Sequence, residues 1–527
     1  MKRIKTSTYD FPSIIEKDFL YVDKTDYVWK LVEGGKDEFF LSRPRRFGKS
    51  LLVSTLKAVF QGRRELFKGL AIDKADYDWK RYPVIHLDFG ACTAKTPEKL
   101  EVYLNHLLEV AADTLGLGLR GEGASIRFEN LIRDAAKASE TGSVVVLVDE
   151  YDKPILGNID IDNKKQQKDI LSVLKGFYGV VKTYEGLIRF AFITGVSKFT
   201  HVSLFSELNN LTDITLQDDY AGMLGFTEEE IRGYFADRIP LAAETNGLPE
   251  EELMRKLLRW YDGYRFSDAP THVCNPVSIS KFFNQGYDFS NYWDDTGTLE
   301  FLVRLSRERE YDYEAALAAW YDESIFSAYE LDCLDITGLL WQTGYLTIKD
   351  VRCDEDGMQY RLDFPDKEVQ ATFSRRLIES FAGERKNDES WVMARQFRTA
   401  IREDDLPRFM TLFQSFLAKI SYELHIPHEK YYQTIFFIVF KFLDASVEAE
   451  SCTNEGRIDA YIRTAKKVYI FEFKLNKTAE NAIDQIMDRR YYEKFQNGGL
   501  PIVLVGVNFD SSKGRIDNWA ETTVSTL

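Results

Sequence analysis

The stretch Tyr469-Ile470-Phe471-Glu472-Phe473-Lys474, preceded by Arg457-Ile458-Asp459, reads as a β-hairpin with Asp, Glu and Lys on one face. If Thr464-Ala465-Lys466-Lys467 is the turn, symmetric folding places Asp459 directly across from Glu472, with Cβ atoms roughly 5 Å apart. Lys474 is two residues further on and shares that face. Facing carboxylates repel unless a cation lies between them. A divalent metal held by Asp459 and Glu472 meets that need, with Lys474 as a positive charge for a developing oxyanion or an attacking water. An amphipathic hairpin with surface charges fits the same alternation of Ile, Phe and Phe with Glu and Lys.

The flanks carry the reading further. Ala482-Ile483-Asp484-Gln485-Ile486 lies in a helical run ending near Phe495, and the strand Pro501 to Val507 follows. Upstream, His428-Glu429-Lys430-Tyr431-Tyr432 opens an apolar helix through Phe442. The order helix, strand, strand, helix, strand resembles the PD-(D/E)XK nuclease core. It is most similar to the C-terminal nuclease domain of a bacterial family of predicted AAA-ATPase-like proteins. In that family a helix Glu, an Asp after Gly-Arg, a Glu-x-Lys and a helix Gln form the site. The resemblance therefore implies catalytic roles for Glu429, Asp459, Glu472, Lys474 and Gln485. A nuclease fold can keep such residues for binding as well as for cutting.

A second chemical signal lies near the other end. The apolar strand end Phe39-Phe40-Leu41 runs into Ser42-Arg43-Pro44-Arg45-Arg46-Phe47-Gly48-Lys49-Ser50 and a helix from Leu51 through Phe60. Strand, Gly-Lys-Ser loop and helix is the P-loop context. In that context Gly48 is expected to let the backbone approach a phosphate, Lys49 to reach the β- and γ-phosphates, and Ser50 to ligate Mg²⁺. The helix N-terminus adds partial positive charge. Arg46, in the same basic loop, is expected to contact the nucleotide. Arg43 stands where the usual pattern has its first Gly. Val144 to Val148, a run too apolar to face water, ends in Asp149-Glu150 and suits a central parallel strand. Asp149 is expected to hold Mg²⁺ through water, and Glu150 to orient the attacking water. Thr194, at the polar tip of the strand Ile188 to Gly195, fits either a γ-phosphate sensor or a simple strand-end cap.

The resemblance to the AAA-ATPase-like family also rests on Tyr21 to Thr25, Arg43 to Ser50, Asp149 to Pro154 and Phe205 to Leu211. Tyr261-Asp262-Gly263-Tyr264-Arg265-Phe266, Asn275-Pro276 and Gln342-Thr343-Gly344-Tyr345-Leu346 extend it across most of the chain. That family carries Arg-Pro-Arg-Arg-Phe-Gly-Lys-Ser at the loop, so Arg43 is a family trait. Pro365-Asp366 departs from its more usual Pro-Asn.

Composition agrees with an α/β chain of several domains. The 527 residues suggest two to four, and an apolar content of 44% allows sizeable cores. No stretch approaches a membrane span, since Lys441 interrupts the apolar run Ile435 to Leu443. No apolar region follows Met1 to Thr6, so no signal peptide is expected. The five Cys are scattered, which points to a reducing cytoplasm and no zinc site. A net charge of -16 argues against a general nucleic-acid coat. Residues 391–527 nevertheless hold equal numbers of acidic and basic side chains, and Lys466, Lys467, Lys474, Lys477, Arg489, Arg490 and Lys494 could track a phosphate backbone.

The expected organisation is a P-loop domain over 1–215, a helical lid or winged-helix-like region over 216–375, and a nuclease-like domain over 391–527. Thr227-Glu228-Glu229-Glu230 signals a helix start. Arg265 fits a γ-phosphate sensor or a buried ion pair. The function expected is an ATP-driven switch joined to a Mg²⁺-dependent nuclease, with Mn²⁺ as the alternative metal. The partners expected are ATP, DNA or RNA, and a further copy of the chain, with no membrane. The alternative is a non-catalytic, nucleotide-dependent binding or signalling protein. A small-molecule kinase is a weaker third reading, because it leaves the C-terminal third without purpose.

Overall fold

The computed structural model describes residues 1–6, 9–34, 37–158, 163–198, 211–293, 301–306, 309, 311–327, 335–355, 357–382, 389–418, 432, 435–436, 439, 447–453 and 456–524. They form two compact units: Met1–Trp293 with Trp320–Asp366, and Asp294–Ala319 with Lys367–Leu527. The segment expected as a separate helical region over 216–375 lies mostly in the first unit. No helix among the described residues is long and apolar enough to cross a membrane.

The first unit is built on strands β1 (Asp37–Ser42), β2 (Val84–Asp88), β3 (Val144–Asp149), β4 (Ile188–Gly195) and β5 (Thr212–Asp213). All are parallel, in the order β2-β3-β4-β1-β5. Parallel strands need crossovers, and helices α1 (Pro97–Leu115), α2 (Ala124–Ala138) and α3 (Lys164–Thr183) supply them. Their apolar faces bury Leu104, Phe128 and Phe177 against Val146 and Val148. Every residue of β3 is buried, as its unbroken apolar run requires. The register pairs Asp88 with Asp149 and Leu41 with Thr194. The polar strand tips therefore gather at the carboxyl edge of the sheet, where open α/β sheets bind ligands.

The rest of this unit begins with helix α4 (Glu228–Tyr234), capped reciprocally by Thr227 and Glu230 as the sequence signals. With α5 (Ile239–Asn246), α6 (Glu250–Tyr261) and α7 (Pro276–Asn284), it encloses a core that includes Ile231, Leu253, Leu257 and Phe282. The region is not wholly helical. Helix α8 (Ile336–Gln342) is followed by β7 (Thr347–Asp354) and β8 (Gly357–Asp363), which with β6 (Trp320–Tyr321) make an antiparallel sheet in the order β6-β8-β7.

The second unit carries a five-stranded mixed sheet of β9 (Val447–Thr453), β10 (Gly456–Arg463), β11 (Val468–Leu475), β12 (Ile502–Asp510) and β13 (Arg515–Val524). Its order is β13-β12-β11-β10-β9, with only β11 and β12 parallel. The expected strand, strand, helix, strand order is present, with β9 and β13 added at the edges. Helix α9 (Ala479–Asp488) links β11 to β12 and ends earlier than the expected Phe495. Arg490 takes a left-handed φ of 48° there, and a 3₁₀ segment, Tyr491–Gly498, follows. One face of β11 packs Ile470 with Ile486 of α9 and Tyr491. On the other face Phe471 and Phe473 meet the ring of Phe436, with centroids at 4.9 and 4.6 Å.

Candidate functional sites

The Gly-Lys-Ser loop leaves β1 and opens a helix at Lys49–Phe60, with Gly48 as its N-cap in a left-handed conformation, φ 97°. Lys49 is 5% exposed, and its Nζ donates to the carbonyls of Arg43 at 2.8 Å and Pro44 at 2.9 Å. Burial lowers its pKa, against the opposing pull of Asp149, Glu150 and Asp152. Asp149, at the tip of β3, is shifted upward by burial, and a hydrogen bond with Ser50 opposes that shift. Its Oδ1 also accepts from Thr194 Oγ1 at 3.3 Å and from the Glu150 amide at 3.0 Å. Ser50, Asp149 and Thr194 therefore form one hydrogen-bonded group, within electrostatic reach of Lys49. A hydroxyl beside a carboxylate is a hard-oxygen donor set that suits Mg²⁺.

Glu150 has a left-handed φ of 51° and is partly exposed. Its carboxylate shares the space above Gly90 with that of Asp88. Asp152 is different. It is buried and accepts from the Val196 amide at 3.1 Å and from the Ser197 amide and Oγ at 2.7 Å each. That makes it a brace between the β3 and β4 tips, a role that its place in the Asp149 to Pro154 motif did not reveal.

Arg43, in place of the first Gly, is also a brace. It is 1% exposed, donates Nη1 to the carbonyls of Ser42 and Thr215, and stacks on Phe266 at 4.3 Å. Arg46 donates to the Tyr292 carbonyl at 2.7 Å. Arg265 forms no ion pair among the described residues: its guanidinium caps the carbonyls of Ser267, Asp268 and Ala269 in its own loop. The Tyr21 to Thr25 motif is a staple. Asp23 accepts from Thr25 and the Ala71 amide, and Lys24 joins Glu230 and the Gly222 carbonyl.

In the second unit the β10–β11 ladder runs from Arg463↔Val468 to Ala460↔Phe471. The paired ladder ends there, one step short of the expected pair Asp459 and Glu472. Beyond it the Asp459 carboxylate accepts the Phe473 amide at 2.8 Å, which holds Asp459 beside β11. Glu472 and Lys474 are 1% and 6% exposed, so they are not the surface charges of an amphipathic hairpin. Lys474 Nζ donates to Glu472 Oε1 at 2.8 Å, and Gln485 Nε2, from α9, donates to the same oxygen. A buried ion pair needs such extra hydrogen bonds to offset its desolvation.

Gln485 also lines an open cleft of ≈ 440 Å³ with Asn481, Asp484, Asp488, Arg489 and Tyr491. It thus stands between the buried carboxylate and solvent. Two features set its position. Gly506 pairs with Glu472 in the β11–β12 register, and a Cβ there would lie 2.1 Å from the Ala479 carbonyl. Only Gly admits α9 this close, and an isolated Gly in an apolar strand is the signal for such an approach. Tyr491, hydrogen-bonded to Gln485, closes the other side.

Glu429 lies outside the described residues, as do His425, His428 and Phe205 to Asn210. Among the described residues no three His, Cys, Asp or Glu side chains converge on one point. The donors that Asp459 and Glu472 offer are carboxylate oxygens, which suit Mg²⁺ or Mn²⁺ rather than a softer metal. Two of the basic side chains nearby are engaged locally: Arg490 pairs with Glu493, and Lys494 lies over Tyr461.

Comparisons with known proteins agree with both domains. A family model described as a predicted AAA-ATPase matches residues 5–205, and one for the PD-(D/E)XK nuclease superfamily matches residues 427–519. The chain is similar to an uncharacterized protein in the vnfD 5' region of Azotobacter chroococcum mcd 1, 36% identical over 519 residues and covering 96% of each chain. With two domain matches in the expected order and a relative aligned along nearly its whole length, the chain belongs to the AAA-ATPase-like family that carries a C-terminal PD-(D/E)XK nuclease superfamily domain.

Proposed function

We propose that the protein is an ATP-binding and ATP-hydrolysing switch joined to a Mg²⁺-dependent nuclease that cleaves nucleic-acid phosphodiesters. The observation that carries the nuclease half is the buried Glu472–Lys474–Gln485 group with Asp459 on the adjoining strand. A protein rarely buries a Lys–Glu pair without a use for it, because desolvation can exceed the Coulombic gain. Mg²⁺ or Mn²⁺, held by Asp459 and Glu472 and positioned with the help of Glu429, would polarise the scissile phosphate and supply hydroxide. Lys474 would steady the charge that develops on the phosphate oxygens. Gln485, at the cleft wall, would orient the phosphate and hold the Glu472 carboxylate in place. At the other site Lys49 and Gly48 would hold the β- and γ-phosphates, Ser50 and Asp149 the Mg²⁺, and Glu150 the attacking water, with Thr194 reporting on the γ-phosphate.

The test is incubation of the full chain with labelled DNA and RNA, with and without ATP and with Mg²⁺, Mn²⁺ or EDTA. Metal-dependent cleavage that Glu472→Gln abolishes is the expected result. In parallel, Lys49→Ala is expected to weaken ATP binding or turnover strongly. Nucleic-acid binding without cleavage under every condition would favour the non-catalytic reading.

A further inference from the structure

Two stretches singled out in the sequence, Tyr261–Phe266 and Gln342–Leu346, belong to neither site, yet both lie against the phosphate loop. Phe47 packs edge-on to Tyr264 and Phe266, with centroids at 4.7 and 5.3 Å. Gly344 has φ +86°, and a Cβ on it would lie 2.6 Å from Pro44 Cβ. Tyr264 Oη donates to the Gly344 carbonyl at 3.1 Å.

The same stretches hold the chain where it leaves the first unit. Trp293 is the last residue before the crossing to Asp294–Ala319. It is buried, with its ring 5.0 Å from that of Tyr345. Gly263 lies against the Pro365 carbonyl, one residue before the final exit at Asp366. Arg46 ties the loop itself to the first of these crossings. It sits at a left-handed φ of 66° and donates Nη1 to the Tyr292 carbonyl at 2.7 Å.

We propose that Arg46 is a latch worked by nucleotide: a triphosphate at Gly48–Ser50 draws its guanidinium off the Tyr292 carbonyl and loosens Tyr292–Trp293, where the chain passes to the unit bearing Asp459 and Glu472. The inference rests on the reading of the loop as a triphosphate site. A guanidinium pairs with an anionic phosphate oxygen more strongly than with a neutral carbonyl, and can do so bidentately. Arg46 thereby supplies the differential contact that a ligand needs to shift a conformational equilibrium. The Trp293–Tyr345 packing remains, so the release is a local opening and not unfolding of the unit.

Hydrogen exchange on the full chain tests this. The Ser290 amide donates to Tyr261 Oη at 3.1 Å and, with the amides of 291–293, reports the segment. A non-hydrolysable ATP analogue with Mg²⁺ is expected to speed exchange at 290–293 by roughly tenfold, the scale of one charged hydrogen bond. In Arg46→Ala these amides should exchange fast with or without the analogue, and Arg46→Lys serves if the alanine variant does not fold. Analogue binding is measured separately on the same samples. Bound analogue with unchanged or slower exchange at 290–293 in the unmodified protein overturns the latch and leaves the phosphate-site reading standing. Absence of binding overturns both.

Discussion

Glu150 and Asp152 are both candidates for orienting water at the phosphate site, and their surroundings separate them. Glu150 is partly exposed at the strand tip, whereas Asp152 spends its carboxylate on Val196 and Ser197. Glu150→Gln should keep ATP bound and slow its steady-state hydrolysis by about 10²- to 10³-fold, the usual contribution of a positioned base. Asp152→Asn should instead lower the thermal midpoint, because an amide cannot accept all three donors and each charged hydrogen bond contributes about 1.5–3 kcal/mol. Normal turnover in Glu150→Gln with stalled turnover in a stable Asp152→Asn would reverse the assignment. The buried pair in the second unit makes a similar claim. Lys474→Met leaves Glu472 charged without its cation and should cost about 3–5 kcal/mol. Lys474→Met combined with Glu472→Gln should recover part of that loss. Urea unfolding of both variants checks it, and a double variant no more stable than the single one contradicts it.

Among the elements, α9 and β2 carry the sharpest expectations. The start of α9 rests on β12 at Gly506, where a Cβ would strike the Ala479 carbonyl. Gly506→Ala should push α9 away, lower stability by about 1–3 kcal/mol as overpacking does, and break the Gln485–Glu472 contact. Nucleic-acid cleavage should then fall while ATP turnover stays as it was; full cleavage by this variant would show that the close approach is not needed. On the edge strand β2, His86 has its pKa pushed down from 6.5 to about 4, first by burial and then by Lys57. Its Nε2 is buried without a hydrogen-bond partner among the described residues. The folded state keeps this imidazole neutral while the unfolded chain takes up a proton near its ordinary pKa. Between those values the unfolded state binds more protons, so stability is lost as pH falls, by about 1.4 kcal/mol per pH unit. His86→Phe should remove that part of the acid sensitivity, seen as a smaller drop in melting temperature between pH 6.5 and pH 4 than in the unmodified protein.

For the whole molecule the useful fact is that each unit has its own apolar core, one around Val146 and Phe177 and one around Ile470 and Leu504. Chains built this way need not unfold in one step. Lys474→Met should therefore move one thermal transition and leave the other, read by differential scanning calorimetry. A single transition that shifts as a whole would mean that the units unfold cooperatively.

Much of this was legible in residue order because it depends on local periods. The period-2 alternation of Asp459, Glu472 and Lys474 about the Thr464–Lys467 turn sets which side chains share a face, and Ala460↔Phe471 keeps that register. An apolar run too long to face water had to be a central strand, and Val144–Asp149 is one. The Thr227–Glu230 cap and the left-handed Gly48 belong to the same class of short-range signals. Long-range contacts decided the rest. Burial of Glu472 and Lys474 requires β12 on the far side of β11 and α9 over their face, neither of which the hairpin contains. Arg43, Arg46, Asp152 and Arg265 carry charges met mainly by main-chain groups, and no residue pattern marks a carbonyl or an amide as a partner. Nor does the helical period after Ala479 announce where α9 stops, because the left-handed Arg490 and the packing of Tyr491 end it. Spacing along a chain fixes orientation over a few residues; which distant backbone meets a side chain follows only when the sheet closes.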